Sequence, residues 1–313
     1  MQLILTNISK WLLLLVLSLV LVIAWREGGD IILVSPRLDS TNTSSRVQSE
    51  DSIWQSISSE FQLDHKTQTP SVQAEIRRLV ADQDKFYQIL KAASPYIYFI
   101  HQQTRQRSLP AEIALIPFIE SEFNPNDHSN KGALGLWQLM AGTAHELGVK
   151  IKSGYDGRRN VIDSTKAALA YFKDLGESFD GNWYLAIAAY NCGQGKVASA
   201  MRRSGSDSFW NLPLPRETKF YVPRLLAVAA IIENPEKYGM QLPPVMNEPY
   251  FAEVKVTKPV SLTKVAATAG INIKTLNKLN PAYRNNMVSK PGNNLLVPVD
   301  TMLAVTTGLP VKS

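Results

Sequence analysis

Cysteine and histidine are scarce in this sequence. Cys192 is the single cysteine among 313 residues, so no intramolecular disulfide can form and stability must come from packing. The four histidines have no metal-ligand spacing, and HELGV at residues 145–149 lacks the second histidine of a zinc-protease helix. There is also no Gly-x-Ser-x-Gly elbow and no complete Walker spacing. We therefore expect no metal site, no serine-hydrolase elbow and no phosphate loop.

A long apolar run is missing as well. The stretch WLLLLVLSLVLVIAW, residues 11–25, has fifteen residues, which is short of the roughly 20 that cross a bilayer comfortably. It resembles the apolar part of a secretory signal, and Val22 and Ala24 suit cleavage after residue 24. We predict residues 1–25 as a signal peptide or, if uncleaved, an N-terminal membrane anchor. Residues 26–50 are polar and predict a linker, so the expected location is the periplasm.

The charge is not strongly of one sign. Lys and Arg total 33 against 27 Asp and Glu, a surplus of six that favours an anionic partner such as nucleic acid, phospholipid or an acidic polymer. Charge alone does not choose among these partners. The surplus is spread thinly and the export signal removes nucleic acid from reach, so we expect no nucleic-acid partner.

Most of the remaining chain has the apolar period of amphipathic helices. Residues 51–94 predict a helical N-terminal extension, and residues 95–240 predict an all-α core. A Gly-rich loop, SNKGALGLWQLM at residues 129–140, interrupts the core, and its glycines allow the backbone to approach another group closely. The expected core therefore has a cleft built by this loop.

Several residues predict where the core helices begin and bend. Ser108 and Glu112 stand in capping positions around Pro110, and Pro117 is expected to kink the helix that follows. Asp163 is expected to cap the helix that contains AALAYF.

A Pro-rich stretch near residue 240 predicts a domain boundary. After it, FAEVKV alternates like a strand, two short helices follow, and NLLVPV returns to a strand. Residues 250–300 therefore predict a small second domain with the order strand, helix, helix, strand.

Glu120 is unusual because it ends an apolar run, Ala114 to Ile119. A carboxyl shielded from water has a raised pKa and can serve as a general acid near neutral pH. Glycoside cleavage normally needs a second carboxylate, and Glu122 and Asp127 are the nearby candidates. Glu122 is two positions further on and faces another side of a helix, so this pairing is weak. One acid suffices if the 6-hydroxyl of a muramic sugar attacks C1 of its own ring.

Three ordered motifs carry a resemblance to a known family. ESEFNPNDHSNKGALGLWQLM (120–140), AYNCGQG (189–195) and ETKFYV (217–222) resemble the motifs of lytic murein transglycosylases of the soluble-transglycosylase type, family 1. GLWQ and AYNCG are similar to the membrane-bound D branch in particular. The resemblance covers about residues 95 to 240.

The resemblance implies a mainly α, goose-lysozyme-like transglycosylase domain that acts on peptidoglycan strands without a cofactor and leaves 1,6-anhydro ends. It also implies that Glu120 acts as acid and then base. The residues that it implies for substrate binding or support of the site are Ser121, Ser129, Gln138, Met140, Tyr190, Asn191, Glu217 and Tyr221.

Other interpretations stay open at this point. A goose-type muramidase would use water, and a wall-binding scaffold would have no activity. Met140 and Trp137 are equally well explained as core residues. Tyr190 can be a packing residue, and Asn191 and Glu217 can be helix caps.

Residues 251–299 resemble a LysM module through LTKVAATAGINIKTLNKLNP and LLVPV. The segment has KPVSL where the usual Gly-Asp-Thr would follow the first strand. Glycan binding by this module and a purely structural role are both open.

Overall fold

The computed structural model describes residues 52–289, 294–308 and 311–312. The predicted signal or anchor at 1–25 and the linker at 26–50 lie outside these residues. Within the described residues, no helix combines the length and apolar character needed to cross a bilayer. The prediction of a mainly helical chain with a small α+β module at the C-terminus is confirmed.

Three helices precede the core: α1 (Ile53–Ser58), α2 (Pro70–Val80) and α3 (Gln83–Ala93). Helix α2 begins with Pro70, which suits a first turn because its missing N–H has no helical partner to lose. The Asp82 side chain accepts a hydrogen bond from Lys85 N and caps α3. The apolar stripe of the sequence is therefore divided between α2 and α3.

The helical core surrounds a long, largely buried helix, α10 (Arg216–Glu233), which contacts α1, α2, α5 (Ile116–Ser121) and α8 (Trp183–Cys192). Further 3-10 turns cover Ala111–Leu115, Gly157–Arg159, Phe209–Asn211 and Glu236–Tyr238. The remaining elements of this part are α4 (Ile97–Arg105), α5 (Ile116–Ser121), α6 (Ala141–Glu146), β1 (Ile151–Lys152), β2 (Tyr155–Asp156), α7 (Val161–Ser178), α8 (Trp183–Cys192), α9 (Gln194–Ser204) and α10 (Arg216–Glu233).

Two predicted helix caps are wrong. Helix α7 is capped by Asn160, whose side chain accepts from Ile162 N and Asp163 N at 2.9 Å, so Asp163 lies in the first turn. Ser108 and Glu112 do not cap the segment after Pro110, which begins without a side-chain cap bond. Ser108 is in a left-handed conformation with φ 54°.

The buried carboxylate of Glu112 has another role. Its Oε1 accepts from Gln62 N and Leu63 N at 3.0 and 2.8 Å and contacts His65 Nε2. Glu112 therefore ties the chain after α1 to the core. Pro117 does not kink a continuous helix, because the chain changes from 3-10 to α geometry one residue earlier.

The C-terminal module has the predicted order of strand, helix, helix and strand. Its three-stranded antiparallel sheet has the order β6-β3-β7, with Val254 opposite Leu295. The elements are β3 (Phe251–Val256), β4 (Val260–Ser261), α11 (Leu262–Ala269), α12 (Ile273–Leu279), β5 (Met287–Val288), β6 (Asn294–Pro298), a 3-10 turn (Val299–Thr301), α13 (Met302–Gly308) and β7 (Val311–Lys312).

The module packs directly on the helical core. Leu279 and Leu296 belong to the same buried cluster as the core helices. The Phe99 and Phe251 rings lie 5.6 Å apart between their centroids. This shared apolar surface fixes the module beside the end of α5, where the candidate site lies.

Candidate active site

Glu120 lies in the last turn of α5. The helix ends directly afterwards because Glu122 and Phe123 adopt left-handed conformations, with φ 51° and 57°. The next residue, Ser121, is buried and donates a hydrogen bond to Leu136 O at 2.9 Å. Ser121 thus joins the helix that carries the acid to the Gly-rich loop.

The Glu120 carboxyl has one direct side-chain partner, because the Tyr221 hydroxyl donates to Glu120 Oε1 at 2.5 Å. Glu120 is partly accessible as a residue, but the loss of hydration around its carboxyl raises its pKa to about 7. The Tyr221 hydrogen bond opposes this shift, and the charge of Glu217 adds to it. A carboxyl of this pKa can both donate and accept a proton near neutral pH.

Tyr190 lies beside the acid and supports the loop. Its hydroxyl donates to Trp137 O at 2.7 Å, and its ring stacks on Phe172 with centroids 4.3 Å apart. Burial raises the pKa of Tyr190, and the nearby charge of Glu120 raises it further. Tyr190 is therefore both a packing residue and a neighbour of the acid.

The aromatic and sulfur side chains of the Gly-rich loop differ in exposure. Trp137 has 0% exposure and donates its indole N–H to Thr165 Oγ1 at 2.9 Å. Met140 is 44% exposed. Trp137 is thus a core residue, whereas Met140 is available at the surface.

Gln138 and Ser129 shape the loop from within. Gln138 is left-handed at φ 47° and donates its amide to Asp127 O and Gly135 O at 3.1 and 3.0 Å. The Ser129 hydroxyl accepts from Ala133 N at 3.0 Å. Both side chains hold the loop's conformation through these bonds.

Asn191 and Glu217 meet at the start of α10. The Thr218 hydroxyl donates to Asn191 Oδ1 at 2.7 Å, and Asn191 Nδ2 donates to Glu217 Oε1 at 3.4 Å. Glu217 Oε2 is also 3.9 Å from Lys131 Nζ on the Gly-rich loop. Asn191 therefore links the last turn of α8 to α10. The buried Thr218 is a further residue of this link, and its sequence position alone does not indicate that role.

Neither candidate second carboxylate, Glu122 or Asp127, is among the groups that shift the pKa of Glu120. Glu122 pairs with Lys85 at 2.7 Å on the exposed side of α3. Asp127 is connected to the loop through its backbone carbonyl, which accepts from Gly135 N at 2.9 Å. Among the described residues, no group of histidine, cysteine or acidic side chains is arranged to hold a metal ion.

Arg158 is a further residue that sequence reasoning missed. Its guanidinium donates to Gly132 O at 2.9 Å and to Leu139 O at 3.4 Å, which braces the Gly-rich loop from behind. The same side chain makes two hydrogen bonds to the fully buried Asp156 carboxylate, at 3.0 and 2.8 Å. Only the fold brings this pair to the loop, since no motif contains it.

Two family models match the chain. The transglycosylase SLT domain matches residues 97–213, and the LysM-like domain of lytic transglycosylase MltD matches residues 250–310. The first range contains Glu120 and helices α4 to α9 but ends before α10, and the second covers the C-terminal module from β3 to α13.

The chain is also similar to curated proteins. It is 37% identical to the membrane-bound lytic murein transglycosylase D of Escherichia coli strain K12 over 220 residues, which are 69% of this chain and 49% of that protein. It therefore spans about half the length of that relative. A putative tributyltin chloride resistance protein of Alteromonas sp. strain M-1 is 38% identical over 173 residues, which are 54% of this chain and 82% of that protein.

Among solved structures, a lytic transglycosylase of Pseudomonas aeruginosa is similar over 47% of this chain and 25% of its own, with 27% identity and a TM-score of 0.37.

Proposed function

Because the chain belongs to the family of lytic murein transglycosylases that carry an SLT domain, we propose that it cleaves peptidoglycan strands by intramolecular transglycosylation. The bond cut is the β-1,4 linkage between N-acetylmuramic acid and N-acetylglucosamine. The products have 1,6-anhydromuramoyl ends, and no water or cofactor is used.

One observation carries this proposal. Glu120 has a pKa raised to about 7 and a tyrosine hydroxyl as its direct partner, and the neighbouring carboxylate of Glu217, which adds to this shift, is hydrogen-bonded to Asn191. The nearby Glu122 is engaged by Lys85. A hydrolase of the two-carboxylate type needs a second acidic group across the scissile bond, whereas a cyclisation needs one group that gives a proton and takes one back.

The reaction balances with Glu120 alone. Protonated Glu120 gives its proton to the glycosidic oxygen as the bond from C1 of the muramic sugar breaks. The 6-hydroxyl of the same ring then bonds to C1, and its proton passes to the Glu120 carboxylate. This returns the acid to its starting form, and holding both reacting groups in one ring lowers the entropic barrier.

The other site residues act around this centre. We propose that Tyr221 orients Glu120 and that Tyr190, a neighbour of the acid, contacts the reacting ring. Ser121 and Gln138 maintain the loop that forms the cleft, while exposed Met140 offers an apolar contact to a sugar. We assign substrate binding or support of the site to these residues and to Ser129, Asn191 and Glu217.

The domain organisation follows from this function. We propose residues 95–240 as the catalytic domain, 51–94 as its helical extension and 250–300 as a LysM-like module that binds glycan strands. Residues 1–25 would export the protein to the periplasm and, if uncleaved, would hold it at the membrane.

Mass spectrometry of digested sacculi tests the proposed activity. We expect the wild type to release anhydro-muropeptides and Glu120→Gln to release none, with an unchanged circular dichroism spectrum. Glu177→Gln, an exposed carboxylate of α7, is the matched control and should keep full activity. Undiminished release by Glu120→Gln would refute the assignment of the acid.

The same spectra separate the alternatives. A muramidase would yield products with free reducing ends that are heavier by one water than the anhydro forms. A wall-binding scaffold would yield no products from the wild type.

A further inference from the structure

A cavity of about 650 Å³ lies where the C-terminal module meets the helical core. We call it the junction pocket. The core lines it with residues 122–126 and Arg159, and the module lines it with α12 and parts of residues 280–286. Residue 122 is two positions after Glu120, a reach of at most about 7 Å along the chain. The pocket therefore begins two residues along the chain from the candidate acid.

Two polar atoms at this pocket lack a partner. Among the described residues, four buried side-chain nitrogen or oxygen atoms have no hydrogen bond. Two of these, the donor Arg159 Nε and the acceptor Asn277 Oδ1, belong to residues that line the junction pocket. Buried polar groups are normally hydrogen-bonded, and an unmade bond is costly.

The neighbouring Asn280 shows the contrast. Its side chain makes three hydrogen bonds within the module, to Leu276 O, Leu296 O and Leu296 N. Asn280 is thus a structural residue, whereas the Asn277 Oδ1 acceptor has no hydrogen-bond partner among the residues that the structure describes. Arg159 and Asn277 are only partly buried as residues and both line the pocket.

The charge of the pocket favours an anionic ligand. Four basic side chains line it: Arg159, Lys274, Lys278 and Arg284. The single acidic lining residue is Glu122, which is already paired with Lys85 at 2.7 Å. Arg284 contacts the Asp156 carboxylate, but that carboxylate also binds Arg158. The region therefore keeps a net positive charge.

The aromatic residues of the pocket argue against a sugar ring as the ligand. Phe123 and Tyr283 are the aromatic residues that line it, and both are buried, at 1% and 4% exposure. They offer no open ring face for a sugar to stack on. A peptide, in contrast, supplies carboxylates for the basic groups, carbonyl acceptors for Arg159 Nε and amide donors for Asn277 Oδ1.

We propose that the junction pocket binds the anionic peptide stem attached to a muramic sugar of the strand. This inference rests on the proposed function, because the stem is brought to the pocket by the strand in the cleft. The pocket thereby makes the enzyme prefer strands that still carry peptides over strands from which the peptides have been removed.

Isothermal titration calorimetry of the full chain with a free stem peptide tests the pocket without any turnover. The probe is an N-acetylated stem tetrapeptide with free carboxylates, compared with the same peptide amidated at every carboxylate. We expect the free-acid peptide to bind and the amidated peptide to bind at least about tenfold more weakly, since a charge-assisted hydrogen bond is lost.

Three variants locate the binding. Asn277→Leu, Arg159→Gln and Lys274→Gln should each raise the Kd for the free-acid peptide, by about tenfold for the first two. Lys264→Gln, an exposed lysine of α11 outside the pocket, should leave the Kd unchanged. Circular dichroism checks the fold, and Asn277→Leu, on a short helix of the module, keeps the test valid if Arg159→Gln unfolds.

The outcomes separate this inference from the proposed function. Equal Kd values for the two probes, or for the wild type and all three variants, would overturn the pocket assignment even if anhydro ends are released. Tighter binding of peptide-free glycan than of stem peptide at the pocket would also overturn it. Peptide binding by a protein that releases no anhydro ends would instead refute the proposed function and leave the pocket assignment standing.

Discussion

At the scale of single residues, the Glu120 carboxyl is subject to opposing effects. Loss of hydration favours its protonated form, and the hydrogen bond from Tyr221 favours its ionised form. The net result is a pKa of about 7. In the mechanism that we propose, this balance matters because one group serves as both the acid and the base.

Removing the Tyr221 hydroxyl should move the pH profile. In Tyr221→Phe the ionised form of Glu120 loses its hydrogen bond, so its pKa rises above about 7. The alkaline limb of kcat/KM for release of anhydro ends, where the acid loses its proton, should shift to higher pH. The rate at the optimum should fall at least about tenfold, because the acid also loses its orienting partner.

The control for this change is Tyr238→Phe, which removes a hydroxyl from the surface turn after α10 and should leave the profile unchanged. An alkaline limb that stays in place in Tyr221→Phe would contradict the role assigned to the hydrogen bond.

The raised pKa of Glu120 also predicts how stability depends on pH. The folded protein holds a proton on Glu120 up to about pH 7, whereas the ordinary value is 4.5. The folded state therefore binds more protons than the unfolded state between these values, and stability falls as pH rises through this window. The loss is at most about 3 kcal/mol, and part of it is screened by solvent at the cleft.

Glu120→Gln cannot ionise and should escape this loss. Its free energy of unfolding relative to the wild type should increase between about pH 5 and about pH 8, as measured by urea denaturation. Glu177→Gln should show no such trend. A constant difference between Glu120→Gln and the wild type across this range would contradict the raised pKa.

The sequence indicates Glu120 and Tyr221 because both belong to motifs that are contiguous in the chain. Thr218 lies in the same motif as Tyr221 and Arg158 lies in none, but the sequence indicates neither role, because each depends on a partner 27 or 26 residues away, at Asn191 and Gly132. The raised pKa was expected from the apolar run before Glu120. The identity of the hydrogen-bond donor, 101 residues further along, required the fold.

At the scale of elements, the Gly-rich loop is held from three directions. Ser121 bonds to it from α5, Tyr190 from α8 and Arg158 from the 3-10 turn behind it. In all three hydrogen bonds the acceptor is a backbone carbonyl of the loop. The loop can therefore vary in many side chains, but its backbone conformation is closely specified.

Gly135 and Gly132 form a matched pair within this loop. Both have positive φ, 85° and 89°. A Cβ at Gly135 would lie 2.1 Å from the Arg158 carbonyl oxygen, whereas a Cβ at Gly132 would meet nothing within 4 Å. Gly132→Ala should cost about 1 kcal/mol from backbone strain alone, and Gly135→Ala should cost at least about 2 kcal/mol more because backbone must move.

Thermal denaturation and sacculus digestion check this pair. Gly135→Ala should also lose activity, because the displaced loop carries Gln138 and the carbonyl that receives Tyr190. Equal melting temperatures for the two variants would show that the close approach to Arg158 does not constrain the loop.

The helices with strong apolar period were predictable, but their ends were not. The apolar residues of α2 and α3 read as one stripe, and the short break at Ala81 and Asp82 carries no strong stop signal. Helix α9 was missed because its sequence, QGKVASAMRRS, buries only Val197 and Ala200. The cap at Asn160 was missed because Asp163 is an equally good capping type.

At the scale of the whole molecule, the C-terminal module is joined to the cleft by a chain of charges. Arg284 of the module binds Asp156 at 3.0 Å, Asp156 binds Arg158, and Arg158 donates to carbonyls of the Gly-rich loop. The Tyr155 and Tyr283 rings lie 5.2 Å apart beside this chain. The module's own elements were predicted from period and composition, but this docking required contacts between distant segments.

Asp156 should be more important than its module partner for the stability of this joint. Burial alone would raise the pKa of Asp156, but hydrogen bonds from Arg158 and Arg284 outweigh it and hold the pKa below its usual value. Asp156→Asn leaves the largely buried Arg158 without its counterion and should cost about 3 to 5 kcal/mol. Arg284→Gln removes a half-exposed partner and should cost about 1 kcal/mol or less.

Hydrogen exchange separates the two effects. Arg284→Gln should speed hydrogen exchange only in the module, around residues 281–288. Asp156→Asn should also speed exchange in the Gly-rich loop at 129–140, because Arg158 then loses the carboxylate that orients its guanidinium. The advantage of the wild type over Asp156→Asn should disappear as pH falls through the lowered pKa of Asp156, since its carboxylate contributes only when ionised. Unchanged exchange in the loop of Asp156→Asn would show that the module and the cleft are joined by apolar packing alone.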